Sequence, residues 1–447
     1  MDISTIGIIG FLAVFLLLGL RVPIAFTLVS VATLCTIVAY AWRPGAEFDL
    51  AKGFAPALGL IESNAYDFLH SYELSMVPMF ILAGHLAFHS KVTTNIYYAV
   101  RIWLSRLPGG LAVASLIGCG GFAAITGSSM ACASAMGKIC VPEMLKYGYS
   151  KQLSTASVAM GGTLGALIPP SILFIIYGLF TETSVSRLFL AGVLPGLLTL
   201  LGYIVTVVIW VKLRPGVAPK VNAELSTKER MMTLVYAWPA LVLMLIIIGG
   251  IYGGIFTATE AAAVSVGFML LYGILWRQLN LEGILISLKE TAYQTSALFL
   301  IAVGAKIFVS FVSLSGVTRE FAAFIEISGF EDWFILLCIV LVYLVMGMFL
   351  DPLGTMLLTL PFLIPVVEGM GLDLIWFGVV VVKLLEIGLI SPPVGLNVFV
   401  INSVIGREIQ VHTIFFGVMK FLVADLIVLV LLISFPVISL LLPSSMF

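Results

Sequence analysis

Long apolar stretches alternate with short polar ones along almost the whole chain. A helix that crosses the hydrocarbon core of a bilayer needs about 20 apolar residues, and seven uninterrupted runs are near that length or longer. The predicted spanning helices are near 3–20, 22–41, 187–211, 235–255, 258–276, 291–316 and 412–442. Five further apolar stretches contain glycine and proline and are expected to have irregular backbone. They are 74–90, 110–145, 152–182, 333–367 and 374–405.

Two of the interrupted stretches carry the same Gly-x-x-x-Pro-Pro pattern, in GTLGALIPPS (Gly162 to Ser171) and in EIGLISPPVGLN (Glu386 to Asn397). Proline lacks a backbone N–H and disfavours helix in the residue before it, so each pair should interrupt a helix and free several carbonyl groups. Inside a bilayer such groups are tolerated only where protein or a water-filled cavity satisfies them. One copy alone is compatible with a kinked helix, whereas two copies at matching places favour a binding site.

The composition indicates an integral membrane protein. Of the 447 residues, 61% are hydrophobic and only 10% are charged, which is outside the usual range of soluble domains. A formal net charge of −1 argues against a general nucleic-acid-binding protein. The cysteines lie scattered in apolar stretches without Cys-x-x-Cys pairs, so we expect small buried residues and neither a metal site nor a disulfide. They are Cys35, Cys119, Cys132, Cys140 and Cys338.

Charged residues at the ends of the apolar stretches predict the topology. The polar linker 212–233 has an excess of Lys and Arg, which places it in the cytoplasm. Basic residues flank 110–146 on both sides, so we expect a re-entrant hairpin that opens to the cytoplasm and turns back at Thr126–Ala131. Acidic residues flank 333–370, so the corresponding hairpin, with its tip at 350–355, is expected to open from the other face. Because only a few charges mark each end, a complete span is the alternative to a hairpin.

An offset of 223 residues aligns the two halves of the chain. It pairs Gly165 with Gly388, Pro169 with Pro392, Pro170 with Pro393, Pro142 with Pro365, and Ser128 with Asp351. The predicted fold is therefore an all-α polytopic membrane protein with an inverted-topology repeat, two re-entrant helical hairpins and two Pro-Pro-broken helices. The first repeat is 1–211, the linker is 212–233 and the second repeat is 234–447. Within them the broken helices are 152–182 and 374–405.

Inverted repeats of broken helices place substrate and coupling-ion sites near the bilayer midplane. At each break, unpaired carbonyl groups suit Na⁺ and unpaired N–H groups suit a carboxylate. Glycines that would allow close approach are Gly127, Gly165, Gly354, Gly388 and Gly395. Hydroxyl groups that would add oxygen atoms belong to Thr126, Ser128, Ser129, Ser171, Thr355 and Ser391. Asn397 offers both a donor and an acceptor.

A charged side chain in the middle of a membrane helix costs about 2.5–3.5 kcal/mol on insertion scales, so each one indicates a structural or functional role. Asp351 lies at a predicted hairpin tip and is the strongest candidate for an ion site. Lys383 and Glu386 are three residues apart and are expected to neutralise one another. Lys138 is expected to extend towards the cytoplasm, and the sequence suggests no role for Asp425. None of the four histidines clusters with a second ligand in the sequence.

Three mixed polar and apolar stretches are expected to form amphipathic helices at the membrane interface or contacts for a partner subunit. They are 43–73, 91–108 and 279–290.

Several longer motifs resemble a known family. The first half contains LPGGLAVASLIGCGGFAAITGSSMACASAMGKICVPEMLKYGYSK, GGTLGALIPPSILFIIYG and LFLAGVLPG, and the second half contains GIFTATEAAAV and IGLISPPVGLNVFV. Together they are similar, over nearly the whole chain, to the large membrane subunit (DctM-like permease) of tripartite ATP-independent periplasmic (TRAP) transporters, in the ion transporter superfamily. Ser391 stands where Thr is commoner in the family, and Lys138 where many members have Pro.

The resemblance implies a Na⁺-coupled importer of a small organic anion, a carboxylate or sulfonate, in the bacterial cytoplasmic (inner) membrane. It implies two partners, a small DctQ-like membrane subunit and a DctP-like periplasmic substrate-binding protein. It also implies an elevator movement of a transport domain against a scaffold, no enzymatic activity, and no cofactor, with Na⁺ as the coupling ion.

By position, the resemblance gives two sodium sites and a substrate site. The first sodium site comprises Thr126, Gly127, Ser128 and Ser129 with Gly165, Ile168 and Pro169. The second comprises Asp351, Gly354 and Thr355 with Gly388, Ser391 and Pro392. The substrate site comprises Ser128, Pro170, Ser171, Pro393, Gly395 and Asn397.

Two other classes of protein stay open from the sequence. Re-entrant loops also build the filters of channels. An intramembrane protease is a weaker alternative, because His-Glu-x-x-His is absent and GMGLD near Asp373 is not the Gly-x-Gly-Asp pattern. VSLSG near Ser315 is a weak serine candidate, with only the distant His412 as a base.

Overall fold

The computed structural model of the chain describes residues 2–42, 48–105, 107–219, 227–406 and 409–446, without the side chains of 227–230, 232 and 234. Every regular element in these ranges is helical, which confirms the predicted all-α class. Helix is the expected solution for apolar segments in lipid, because it satisfies all backbone polar groups within one segment. Parts of the predicted stretches and of the linker lie outside the described residues, namely 43–47, Arg106 and 220–226.

The first half of the chain contains ten helices among its described residues. They are α1 (Ile3–Gly19), α2 (Ile24–Ala41), α3 (Ala51–Leu69), α4 (Met76–His89), α5 (Val92–Leu104), α6 (Gly110–Thr126), α7 (Ser129–Lys146), α8 (Lys151–Leu167), α9 (Ile172–Thr181) and α10 (Val185–Leu213). Short 3-10 turns occupy Tyr72–Ser75 and Pro215–Val217.

The second half begins with α11 (Thr227–Met244), which passes through a π-helical segment at Leu245–Gly249 into α12 (Gly250–Tyr252). The helices that follow are α13 (Ala258–Leu275), α14 (Leu281–Ser315), α15 (Val317–Ser328), α16 (Asp332–Gly347), α17 (Pro352–Gly369), α18 (Leu374–Ile390), α19 (Leu396–Val404), α20 (Val411–Ser434) and α21 (Val437–Ser444).

Eight helical segments of the described chain are long and apolar enough to cross a membrane. They are Ile24–Ala41, Lys151–Thr181, Val185–Leu213, Val235–Tyr252, Ala258–Leu275, Leu281–Ser315, Pro352–Gly369 and Val411–Ser434. Six of the seven predicted uninterrupted spans are among them. The remaining one, α1, is apolar but only 17 residues long.

Three features of the helix pattern differ from the sequence prediction. The separate stretches 279–290 and 291–316 form one helix, α14, because no proline or left-handed glycine lies between them. The last span ends at Ser434 instead of 442, since Phe435 precedes Pro436 and has left the helical conformation (φ −130°, ψ 76°). An additional amphipathic helix, α15, fills the gap after the left-handed Gly316.

Contacts divide the chain into two compact units, each made of three chain segments. The first unit comprises Met1–Ser75, Tyr293–Ile339 and Leu353–Leu374. In it, Phe11 and Phe362 make an edge-to-face ring contact at 4.8 Å, and Ser310 Oγ donates to Asn64 Oδ1 at 2.6 Å. These contacts join elements that are distant in the sequence.

The second unit comprises Met76–Ala292, Val340–Pro352 and Ile375–Phe447. Its apolar core is built mainly from α6, α7, α8, α10, α19 and α20. The first hairpin, the first broken helix and most of the second broken helix therefore belong to one packed body, so their mutual geometry can be described directly.

Candidate functional site

The tip of the first hairpin is a two-residue turn between α6 and α7. Gly127 ends α6 in the left-handed conformation (φ 61°), which glycine adopts without steric cost. Ser128 is extended (φ −132°, ψ 120°) and caps α7, since its Oγ accepts a hydrogen bond from Ala131 N at 3.4 Å. The turn is therefore shorter than the predicted tip, Thr126–Ala131, and comprises only Gly127 and Ser128.

The first helix break lies between α8 and α9. Ile168 is extended (φ −77°, ψ 123°), as the residue before a proline should be. The Pro169–Pro170 bond is cis, and Ser171 restarts the chain as the N-cap of α9, with its Oγ accepting from Phe174 N at 3.3 Å. The Pro-Pro pair thus ends one half-helix and precedes the N-terminus of the next.

The hairpin tip lies directly on this break. Gly127 O accepts a hydrogen bond from Ile172 N at 3.2 Å. A Cβ placed on Gly127 would be 2.5 Å from Pro170 O, and a Cβ placed on Gly165 would be 2.8 Å from Ser128 O. Backbone therefore meets backbone at both glycines, and carbonyl oxygen atoms from the tip and the break lie within one small region.

Hydroxyl groups near the tip are oriented by backbone carbonyls. Ser129 Oγ donates to Thr163 O at 3.4 Å, and Thr126 Oγ1 donates to Phe122 O at 3.2 Å. Because a hydroxyl oxygen accepts through two lone pairs, each group remains able to face a cation. Both residues are buried.

Replacement of Gly165 by alanine is expected to destabilise this contact. The added methyl group would lie 2.8 Å from Ser128 O and 3.0 Å from Ser129 N, both backbone atoms that cannot rotate away. Overpacking of this kind costs about 1–3 kcal/mol, so the thermal midpoint of the purified chain should fall.

Gly267→Ala is the matched control for this experiment, because Gly267 lies within α13 and a Cβ there meets nothing within 4 Å. The thermal midpoint of this variant should stay unchanged or rise slightly, because alanine stabilises a helix by about 1 kcal/mol relative to glycine. Equal midpoints for the two variants would contradict the close packing at Gly165.

The second helix break, Ser391–Gly395, separates α18 from α19. It also contains a cis Pro392–Pro393 bond, and Gly395 enters α19 in the left-handed region (φ 55°). Ser391 Oγ donates back to Ile387 O at 2.7 Å.

Two contacts hold the second break against other helices of the same unit. A Cβ on Gly388 would lie 2.7 Å from the Cα of Gly347, so α18 and α16 touch through their backbones. Asn397 is fully buried, and its Nδ2 donates to Ala159 O of α8 at 3.4 Å. Its Oδ1 has no hydrogen-bond partner among the described residues, which leaves a buried amide oxygen available to a ligand.

The tip of the second hairpin is shorter than predicted. Residues 348–351 form the turn, and Pro352 is the first residue of α17, a position that proline favours. Gly354 and Thr355 therefore lie in the first turn of that helix and not in the loop, while Asp351 immediately precedes it. Thr355 Oγ1 is buried and without a hydrogen-bond partner in the described part of the chain.

The residues proposed from the sequence thus fall into three local groups. The first group lies at the tip of the first hairpin and the first break, and Asn397 joins the second break to α8 of that group. Its members are Thr126, Gly127, Ser128, Ser129, Gly165, Ile168, Pro169, Pro170 and Ser171. The second group, at the second break, is Gly388, Ser391, Pro392, Pro393, Gly395 and Asn397. The third group, at the start of α17, is Asp351, Gly354 and Thr355.

A family model for the DctM component of tripartite ATP-independent periplasmic transporters matches residues 9–438 of this chain. The chain belongs to this family. The resemblance found in the sequence motifs is thereby confirmed, and the match covers both hairpins and both breaks of this DctM component.

Individual proteins agree with this assignment. The C4-dicarboxylate TRAP transporter large permease protein DctM of Pseudomonas aeruginosa is 34% identical over 389 residues, which are 87% of this chain and 89% of that protein. The isethionate TRAP transporter permease protein DctMQ of Oleidesulfovibrio alaskensis is 33% identical over 402 residues, 90% of this chain and 60% of the relative. The crystal structure of the Alcanivorax borkumensis YdaH transporter shares the fold, with a TM-score of 0.62 over 94% of this chain and 96% of that one at 15% identity.

The DctM component also contains a buried ionic cluster that the sequence did not reveal as such. Lys383 Nζ lies 2.5 Å from Asp425 Oδ1 and 3.4 Å from Glu386 Oε2, and all three side chains are fully buried. Tyr203 OH donates to Asp425 Oδ1 at 2.7 Å. The expected pairing of Lys383 with Glu386 is present, and Asp425, for which the sequence suggested no role, is the nearer partner of Lys383.

Two histidines also have a partner that the sequence did not indicate. His85 Nδ1 and His89 Nε2 lie 3.1 Å and 3.0 Å from Glu290 Oε2. His85 and His89 are four residues apart on α4 and so share one face, and Glu290 lies about 200 residues away in the sequence. The expectation that no histidine lies near a second ligating side chain is therefore wrong for these two. No group of three or more His, Cys, Asp or Glu side chains within the described ranges is arranged to hold a metal ion.

Proposed function

We propose that this DctM component imports a small organic anion, a carboxylate or sulfonate, by Na⁺-coupled secondary active transport. The observation that carries the proposal is the contact of the first hairpin tip with the first helix break. There, carbonyl and hydroxyl oxygen atoms from two broken segments lie close to Gly127 and Gly165, at which an added Cβ would come within 3 Å of backbone atoms. Oxygen atoms are the ligands that hard cations take.

The two sodium sites of the proposal follow the two halves of the chain. The first is formed by Thr126–Ser129 with Gly165, Ile168 and Pro169. The second is formed by Asp351, Gly354 and Thr355 with Gly388, Ser391 and Pro392. The second site differs from the first in offering a carboxylate, which would bind a cation more strongly than neutral oxygen atoms do.

The anion is proposed to bind between the half-helices that begin after the breaks. The N-termini of α9 and α19 present backbone N–H groups, which favour negative charge. Ser171, at the start of α9, and Asn397 Nδ2, in α19, would donate hydrogen bonds to the anionic group, and Asn397 Oδ1 would accept only from a hydroxyl or other donor elsewhere on the substrate. Ser128, Pro170, Pro393 and Gly395 complete the proposed substrate site.

Two of the relatives support an acidic cargo. One is named for C4-dicarboxylates and another for isethionate, a sulfonate, so both acid types occur among relatives of this chain. We propose that the partners are a small DctQ-like membrane subunit and a DctP-like periplasmic binding protein, in the bacterial inner membrane. We further propose that the chain contains two inverted repeats and carries the anion across the membrane by an elevator movement of its transport domain.

A channel is the second candidate, since hairpins with polar tips also form filters. The buried backbone contacts at Gly127 and Gly165 favour the carrier, because they close the space between tip and break instead of lining an open pore. The family assignment likewise points to a transporter and not to an enzyme.

Reconstitution distinguishes the candidates. The chain should be placed in proteoliposomes with its small subunit, and a panel of dicarboxylates, sugar acids, keto acids and sulfonates should first be screened against the binding protein by thermal shift. We expect accumulation of the labelled anion only with the loaded binding protein and an inward Na⁺ gradient. Uptake at channel-like rates without a Na⁺ gradient would contradict the coupled carrier.

A further inference from the structure

An apolar groove runs between α10 and α20, which belong to the same compact unit. Its volume is about 660 Å³. The lining residues recur every three or four positions, from Leu198 to Arg214 on α10 and from Lys420 to Leu431 on α20. Residues at this spacing share one face of a helix, so the groove follows the two helices along their length.

Small residues form the floor of the groove and larger apolar residues form its walls. A Cβ placed on Gly202 would lie 3.5 Å from Ala424 Cβ, so the two helices come close together there. Leu201 on α10 and both Val423 and Ile427 on α20 are exposed. Lipid tails are as apolar as such side chains, so the groove is a depression in a surface that suits lipid.

The length of the groove matches the thickness of one leaflet. The stretch of α20 from Lys420 to Leu431 rises about 16 Å at 1.5 Å per residue. Half of a hydrocarbon core of about 30 Å is about 15 Å. An acyl chain that begins beside Lys420 would therefore reach the middle of the bilayer near Leu431.

One end of the groove is positively charged. Arg214 and Lys420 both line it, and Lys420 Nζ lies 3.7 Å from the centre of the Trp210 ring. Arg214 directly follows the last residue of α10, and Lys420 Nζ donates to Gln152 Oε1 near the start of α8 at 3.5 Å. Because two helices end or begin here, beside a tryptophan, this end of the groove suits the membrane interface.

The two basic groups have no acidic partner among the described residues. The charged group that acts on Lys420 is Arg214, which has the same sign. Asp425 is the nearest acid along α20, but it is fully buried and bound to Lys383 instead. Two neighbouring positive charges repel one another, so an anion bound between them would be stabilised.

We propose that this groove binds an anionic phospholipid. Its acyl chain lies along the groove, and its phosphate is bound by Lys420 and Arg214. Ammonium and guanidinium groups form strong hydrogen bonds with phosphate, and basic residues near the bilayer surface attract anionic lipids. A zwitterionic lipid fits less well, because its own cationic group already neutralises its phosphate. The proposal goes beyond Na⁺-coupled import and does not depend on it.

A helix of a partner subunit fits the groove less well than an acyl chain does. A helix with its side chains is about 10 Å across, so a length of about 16 Å fills roughly 1,250 Å³. This is about twice the volume of the groove. The basic end also requires an anionic group at the interface, which the headgroup of an anionic phospholipid supplies.

Photocrosslinking of the full chain in lipid nanodiscs tests the proposal. Phosphatidylglycerol and phosphatidylcholine probes, each with the same diazirine group in the acyl chain, are added in trace amounts to nanodiscs of unlabelled phosphatidylcholine. Mass spectrometry of peptides then locates the labelled residues. We expect the phosphatidylglycerol probe to label Val423 and Ile427 about 25-fold more than the phosphatidylcholine probe does, because each basic residue contributes about fivefold.

Two substitutions test the headgroup site. Arg214 is exposed beyond the last turn of α10, so Arg214→Gln should leave the fold intact and lower the preference for phosphatidylglycerol about fivefold. Lys212→Gln is the matched control, because Lys212 is an exposed basic residue in the last turn of α10 that does not line the groove. This control should leave the preference within about twofold of the native value.

Three results would overturn the proposal. Equal labelling of the groove by the two probes in the native chain would indicate ordinary contact with lipid and no specific site. Equal effects of Arg214→Gln and Lys212→Gln would indicate a diffuse attraction to the charged surface. Loss of the labelling when the small DctQ-like subunit is bound would assign the groove to that subunit. The first and third results use the native chain, so the test holds even if a variant does not fold.

Discussion

Replacement of Asp351 by asparagine is expected to abolish Na⁺-dependent uptake at physiological Na⁺ while leaving the chain folded. Asp351 is the carboxylate of the second proposed sodium site, and an interaction with a charged group is worth about 1.5–3 kcal/mol. The apparent affinity for Na⁺ should then fall roughly 10- to 150-fold. Uptake as a function of Na⁺ concentration in the reconstituted transporter measures this shift.

Asparagine is chosen because Asp351 immediately precedes α17 and therefore also occupies the N-cap position. Asparagine caps a helix as well as aspartate does, so Asp351→Asn removes the charge and keeps the cap, whereas Asp351→Ala removes both. Asp373→Asn makes the same change before α18, outside the proposed site, and serves as the control. Normal uptake by Asp351→Asn together with loss in Asp351→Ala would assign Asp351 to capping and remove it from the ion site.

Replacement of Lys383 by methionine is expected to destabilise the chain by about 3–5 kcal/mol, because it leaves the Asp425 charge buried without its partner. Thermal unfolding of the purified chain in detergent measures the loss.

A second substitution identifies the cause. The double variant Lys383→Met with Asp425→Asn removes both charges of the Lys383–Asp425 pair, so it should be more stable than Lys383→Met alone. The exposed Lys138, on α7, provides the control Lys138→Met, for which a change within about 0.5 kcal/mol is expected. If Lys383→Met were as stable as this control, the ionic cluster would not contribute to stability as described.

The sequence predicted the helices well because lipid permits few alternatives to helix for an apolar segment. Both Pro-Pro pairs separate helices in the structure for the local reason that proline cannot continue a helix. Errors occurred where local signals conflicted. Polar residues around 279–290 indicated a separate element, but without a helix-breaking residue the helix continues through them.

The partners within the candidate site were less predictable. The contact of Gly165 with Ser128, like that of Asn397 with Ala159, depends on how helices pack, and no local pattern specifies it. Lys383 and Glu386 share a helix face and were recognisable as a pair, whereas Asp425 lies 42 residues after Lys383 in a different span. From the sequence, Asp425 was recognisable only as a carboxylate inside a membrane helix, with no indication of its partner.

The length of α14 has a consequence for how the chain meets the bilayer. Its 35 residues extend over about 52 Å at 1.5 Å per residue, against about 30 Å for the hydrocarbon core. Even at the largest usual tilt, about 40°, the helix is longer than the core is thick. The charged residues Glu282, Lys289 and Glu290 lie in its first three turns, which favours placing that end, and not the apolar remainder, among lipid headgroups or in water. The contact of Glu290 with His85 and His89 then lies at the membrane boundary, outside the hydrocarbon core.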